Sequence, residues 1–203
     1  MEAATIMPVR EIITPQNPIL RKKAHKVTRF NDPRLQMLID DMVDTLHEAP
    51  GVGLAAPQVA ASQRVIVVRL PDDERSKEEY GEDAGVLHIV ANPEIIRASK
   101  DMVDGVEACL SIPGYYGNVE RHVEVTVRGQ DRHGKLVRIK AKGWLARVFQ
   151  HEIDHLDGVL FIDRATEIWR ASPGRDGEEE TPEADPLEGM FEIETVEEVD
   201  GEG

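Results

Sequence analysis

The chain has 203 residues, enough for one domain with a full core and a terminal extension. Apolar residues make up 40% of it and aromatic residues 4%, so the core is expected to be aliphatic. No apolar run approaches the roughly 18 residues that a membrane-spanning helix needs. The formal charge of −15 is uneven, because 172–203 carry 13 acidic residues and one Arg, a net of −12, while 1–171 carry 26 acidic and 23 basic residues. A near-neutral body with an acidic tail lacks the overall basic character of a nucleic-acid binder, so no direct nucleic-acid binding is expected.

The first residues, Met1 to Pro8, lack the basic-then-apolar order of a secretory signal, and either Met1 or Met7 can serve as the start. Ile6 to Ile13 is apolar and β-branched and reads as an extended segment, broken by a turn at Thr14-Pro15-Gln16-Asn17-Pro18. Asn31-Asp32-Pro33 is a helix start, with a capping side chain followed by Pro in the first turn. Leu35, Leu38, Ile39, Met42, Val43 and Leu46 then form one apolar stripe, predicting a helix over 34–48. Gly51-Val52-Gly53-Leu54-Ala55-Ala56-Pro57-Gln58 follows, small and uncharged. It reads equally as a tight packed connection or as backbone that a ligand approaches closely, with Gln58 as a positioned polar group.

Arg64 to Leu70 predicts a strand buried on both faces. Residues 71–85 are acidic and predict a solvated surface loop. His88–Ala91 and Glu94–Ile96 flank Asn92-Pro93 and predict two short strands or one interrupted strand. Val119 to Arg128 alternates, Leu136 to Ala141 alternates again, and the turn Asp131-Arg132-His133-Gly134 joins them as an antiparallel hairpin. A second helix is expected over 144–156, with Leu145, Val148, Phe149 and Ile153 on its apolar face and Asp157-Gly158 ending it. Helices do not alternate with strands along the chain. The fold class is therefore α+β, with antiparallel sheets packed around a central helix and a second helix near the N-terminus. Residues 1–171 form one domain, and 172–203 read as a disordered acidic tail, with Phe191–Val196 the only alternating stretch.

The second helix carries Gln150-His151-Glu152-Ile153-Asp154-His155. Residues 151 and 155 are four apart, so both imidazoles project from one face and can share a metal ion. Glu152 is offset by about 100° and can stand beside a metal-held water as a base without being a ligand. Two ligands are a half-site, since a catalytic centre takes three protein ligands and keeps one open position. A third His six residues beyond His155 is absent, because position 161 is Phe. A downstream Glu would have to come from Glu178-Glu179-Glu180, in the polar tail. Cys109, in Glu107-Ala108-Cys109-Leu110-Ser111, is the remaining candidate. It is the only cysteine, so no intrachain disulfide forms, which suits a reducing cytoplasm. A thiolate with two imidazoles suits softer divalent ions.

The three blocks GVGLAAPQ at 51–58, EACLS at 107–111 and QHEIDHLDG at 150–158 resemble the three signature motifs of the peptide deformylases, in the same order. The resemblance covers about residues 8–166. The family has Gly where this chain has Ala108. The resemblance implies metal-dependent removal of the formyl group from the N-terminal formylmethionine of new polypeptides. It implies that Cys109, His151 and His155 hold one divalent ion per chain, iron(II) foremost, with zinc, nickel or cobalt able to replace it. It implies Glu152 as general base, and the Gln58 side chain and Leu110 backbone N–H as donors to the formyl oxygen. Backbone groups of Val52, Gly53 and Ala108 are expected to align the substrate as an added strand. The partners implied are N-formylmethionyl nascent chains, with ribosome proximity that does not use a basic tail. Another small metallopeptidase, or a non-catalytic binding relative, is the alternative.

Overall fold

The computed structural model describes residues 9–170 and Leu187. The first residues of the N-terminal segment and the acidic tail, including Phe191–Val196, lie outside the described residues. The first long helix, α1, is Pro33–Glu48. The Asp32 side chain accepts from the Arg34 N–H, and Pro33 opens the first turn. Leu35, Leu38, Ile39, Met42 and Leu46 are buried, as the stripe predicts.

The block at 51–58 is neither loop nor helix throughout. It forms a short strand β1, Gly53–Ala55, and a 3-10 turn, Ala56–Val59. Strand β2, Val65–Arg69, is buried along its first four residues, as expected of a central strand. Residues 71–85 contain a two-turn helix α2, Glu74–Tyr80, where a surface loop was expected. Asp73 caps it by accepting from the Ser76 N–H. Its near-total exposure explains why hydrophobic periodicity gives no sign of it.

Strand β3, Leu87–Ala98, is continuous through Asn92-Pro93. Asn92 takes a positive φ of 51°, and the register shifts between Ala91 and Glu94. Asn tolerates that conformation, and its side chain is fixed by Val27 N–H, the Val27 carbonyl and the Gln130 side chain. Strands β4, Met102–Cys109, and β5, Ile112–His122, form a long hairpin that the sequence reading did not anticipate. The single strand expected over 119–128 is in fact two. The chain changes sheets at Val123, ending β5 and starting β6, Glu124–Gln130. Val119 packs in one core cluster, and Val125 and Val127 pack in another. Strand β7, Leu136–Lys142, completes the expected hairpin with β6. Helix α3, Gly143–Leu156, follows, and a last strand β8, Glu167–Arg170, pairs with β5.

All strand pairs are antiparallel, in a five-stranded sheet of order β1-β2-β3-β6-β7 and a three-stranded sheet of order β4-β5-β8. This is the expected α+β architecture. One face of the large sheet packs Ile66, Val68, Val125 and Val127 against Leu145, Phe149 and Ile153 of α3. The opposite face packs Val65, Val67 and Ala91 against α1. A third cluster joins Ile112 and Val119 of the small sheet to Leu20, Phe161 and Leu187. Helix α3 is therefore enclosed, and 12 of its 14 residues are buried. Six of those 12, from Arg147 to His155, are polar, and buried polar side chains require partners.

Candidate active site

His151 and His155 lie one turn apart on α3, with ring centroids separated by 5.0 Å. Strand β4 brings Cys109 to them from the small sheet, its Sγ 3.2 Å from His155 Nε2. One ligand atom from each of the three residues lies within 4.8 Å of the other two. A register shift between Ala108 and Cys109 marks this end of β4, a kind of irregularity that re-aims side chains.

Glu107, two residues earlier on β4, holds the outer nitrogen of His151, with Oε2 2.9 Å from Nδ1. That leaves the His151 Nε2 for the thiol side. Carboxylate support of this kind orients an imidazole for metal binding. Glu107 also accepts two bonds of 2.9 Å from Arg121 and one of 2.9 Å from Arg147. Arg121 continues to Asp154 at 2.6 Å, and Arg164 closes on the same carboxylate at 2.6 and 2.7 Å. Burial alone would raise the Glu107 carboxyl. The hydrogen bonds from Arg121 and His151 outweigh it and hold Glu107 well below the usual carboxylate range. Burial likewise lowers both imidazoles. It prevails at His155, whereas at His151 hydrogen bonds with Cys109 and Glu107 reverse it. Surroundings that favour a proton on His151 also favour a metal cation between that imidazole and the thiol. The donor set, its convergence and its carboxylate support therefore fit a divalent ion.

Glu152 is buried beside this cluster, and burial raises its carboxyl to about 7. It is cradled by β1, where a Cβ on Gly53 would stand 2.4 Å from Glu152 Oε1. Glycine is thus required at 53 by space, not by turn geometry. Gln58 is buried in the 3-10 turn after β1. Its Oε1 accepts from the Ala55 N–H at 2.8 Å, which fixes the amide so that Nε2 faces Cys109 Sγ at 3.5 Å. Ser111 Oγ lies 3.3 Å from the same Nε2. The sequence reading did not single out Ser111, although it sits inside the second block.

A cavity of about 500 Å³ opens onto these groups. Eight of the nine sequence-predicted residues line it: Val52, Gly53, Gln58, Ala108, Cys109, Leu110, His151 and Glu152. His155 is buried behind them. The Val52 carbonyl accepts from the Arg69 N–H, which ties this part of the block to β2. Ala108 is not among the positive-φ residues, so its methyl group brings no left-handed strain. Trp144 and Val148 of α3 and Tyr116 of β5 supply apolar wall; the sequence reading places Val148 on the apolar face of the helix but names neither Trp144 nor Tyr116. Trp144 stands at the start of the helix and Tyr116 in an uncalled strand, so neither fell on a recognised pattern.

The family model described as polypeptide deformylase matches residues 9–171. A peptide deformylase of Thermomicrobium roseum is 49% identical over 178 residues, covering 88% of this chain and 98% of that one. One of Halothermothrix orenii is 50% identical over 163 residues, covering 80% and 97%. Among solved structures, a Met-Ala-Ser-bound class I type b peptide deformylase from Acinetobacter baumannii matches with a TM-score of 0.70 at 37% identity. That match covers 78% of this chain and 99% of the other. The peptide deformylase of Thermotoga maritima matches at 0.69 and 38% identity, covering 79% and 99%.

Proposed function

The chain belongs to the peptide deformylase family, and on that premise we propose that Cys109, His151 and His155 hold the metal ion and that Glu152 is the base. The enzyme is a metal-dependent amide hydrolase that releases the formyl group from N-terminal formylmethionine. The observation that carries the site assignment is the convergence of one thiol and two imidazoles within 4.8 Å, with a buried carboxylate beside them. Iron(II) is the proposed ion, with zinc, nickel or cobalt as substitutes, and the cytoplasm is the proposed location. Among the described residues no helix is long and apolar enough to cross a membrane.

When bound, the ion supplies Lewis-acid activation of a water molecule. Glu152 takes a proton from the attacking water, whose oxygen forms a bond to the formyl carbon. The C–N bond then breaks, the amine nitrogen leaves with the proton returned by Glu152, and formic acid is released, its remaining proton passing to the amine to give formate and an ammonium group. Burial raises the Glu152 carboxyl, which favours its taking up a proton from the water before returning it to the amine. The Gln58 amide, already oriented by Ala55, donates to the formyl oxygen as it gains charge, joined by the Leu110 N–H. The substrate enters between β1 and β4, each an edge strand of its sheet, where Gly53 and Ala108 align the peptide backbone. Trp144 and Val148 contribute apolar surface for the methionine side chain.

Glu152→Gln tests the base assignment. Turnover of formyl-Met-Ala-Ser should fall by roughly 10² to 10⁴ while metal content stays at the wild-type level. Full activity in that variant would remove Glu152 from the role.

A further inference from the structure

Helix α1 covers the large sheet on one face, packing on Val65 and Val67 of β2 and Ala91 of β3. Past the bulge at Asn92, the same face continues over the second half of β3, then β6 and β7. Register places Arg97, Thr126 and Lys140 in one row across it. Glu94, Arg128 and Arg138 form the next row, and Glu124 and Lys142 form a third. Arg97, Arg128, Arg138, Lys140 and Lys142 are all exposed. Lys100 and Asp101 extend the patch, and an open groove of about 700 Å³ crosses it between residues 97–101, 123–126 and 140–142.

Six cations therefore face three acids on this half-face. Glu94 pairs with Arg128 and Glu124 pairs with Lys142. Among the described residues Arg97, Lys100, Arg138 and Lys140 form no ion pair. A net positive field on a chain of charge −15 is locally out of character. Lysines on the edge strand β7 also discourage pairing between sheets, but Arg97 and Lys100 are not on that edge.

We infer that this half-face is the docking surface for the chain's own C-terminal acidic segment, residues 188–203. That segment carries seven carboxylates and no Lys or Arg. Glu192 and Glu194 alternate with Phe191 and Ile193, so an extended chain turns both carboxylates to one side. Leu187 is buried with Leu20, Phe161 and Ile162, which ties the segment to the body at its start. The 16 residues beyond it reach up to roughly 50 Å when extended, most of the roughly 60 Å halfway round a globule about 40 Å across. Tethering gives the segment an effective concentration that a free polyanion must exceed.

Carbodiimide cross-linking of the full chain, which joins carboxylates to amines, tests this directly. Peptide mapping should find residues 188–203 joined chiefly to Lys100, Lys140 and Lys142, and the links should fade in ~1 M NaCl, where the Debye length is about 3 Å. In an Arg97→Gln/Arg138→Gln variant, links to those lysines should fall about tenfold as the field weakens. Links mainly to Lys22, Lys23, Lys26 or Lys77, or no links, would overturn the inference. So would unchanged links in the variant. A single-stranded RNA that binds the full chain through Arg97 and Lys140 would also overturn it, because the face would then be open to another polyanion.

Discussion

At the scale of single residues, the site depends on close approach and charge balance. Gly53→Ala places a methyl group within 2.4 Å of Glu152 Oε1 and must displace the carboxylate. A misplacement of about 1 Å costs on the order of 10² in rate, so kcat/KM for formyl-Met-Ala-Ser should fall by about that factor. A value within about twofold of wild type would show that Glu152 is not held where it acts. Gln58→Ala removes a donor already aimed at the site, and kcat should drop roughly 10²- to 10³-fold. An unchanged kcat would assign Gln58 to structure alone. Glu107 makes the strongest pH prediction. Its folded carboxyl is depressed, because hydrogen bonds from Arg121 and His151 outweigh the opposing effect of burial. The stability it contributes is therefore complete above its ordinary value of 4.5 and is lost as pH falls through the lowered range. Glu107→Ala should lose about 3–5 kcal/mol near neutral pH and show a shallower loss of urea midpoint between about pH 5 and pH 3. Parallel acid profiles for the two proteins would contradict this.

At the scale of elements, helix α3 is placed by contacts that no local pattern announces. Arg147 on α3 donates to the carbonyls of Val103 and Gly105 on β4 and Val119 on β5, as well as to Glu107. These bonds tie the helix that carries both imidazoles to the strand that carries the thiol. Helices α1 and α3 were legible because each pairs an apolar stripe with a stop signal. The β6–β7 hairpin was legible from alternation and a turn. The β4–β5 hairpin was not, because Met102, Val103 and Val106 are exposed and Glu107 and Arg121 are buried, which inverts the usual pattern. The split of 119–128 was hidden for a related reason. Alternation continues across Val123 while the chain changes sheets, and periodicity cannot report which sheet a face belongs to. The bulge in β3 gives a test at this scale. Asn92→Ala should cost about 2–3 kcal/mol, from left-handed strain and lost hydrogen bonds to Val27. Asn92→Gly should cost less. Equal losses, measured by denaturant unfolding, would put the whole effect in the hydrogen bonds.

At the scale of the molecule, two sheets and one enclosed helix bring together blocks that are some 40 to 50 residues apart in the chain. All nine site residues could be named from the sequence: His151, Glu152 and His155 from helical spacing, Cys109 as the remaining candidate ligand, and Val52, Gly53, Gln58, Ala108 and Leu110 from the resemblance; eight of them line the cavity. The ion network from Glu107 through Arg121 to Asp154 and Arg164 could not, since its members share no spacing rule. The tail adds one structural fact to its charge, the burial of Leu187. Truncation after residue 171 should leave deformylation intact and lower stability by no more than about 1.5–3 kcal/mol, the value of one buried Leu. Loss of folding would show that more of the tail packs on the body. The proposed site holds one ion between Cys109, His151 and His155. Metal content per chain after anaerobic purification, compared between wild type and Cys109→Ser, tests it most directly. One ion per chain is expected in the wild type and a marked deficit in the variant. Equal stoichiometry and affinity in the two proteins would contradict it.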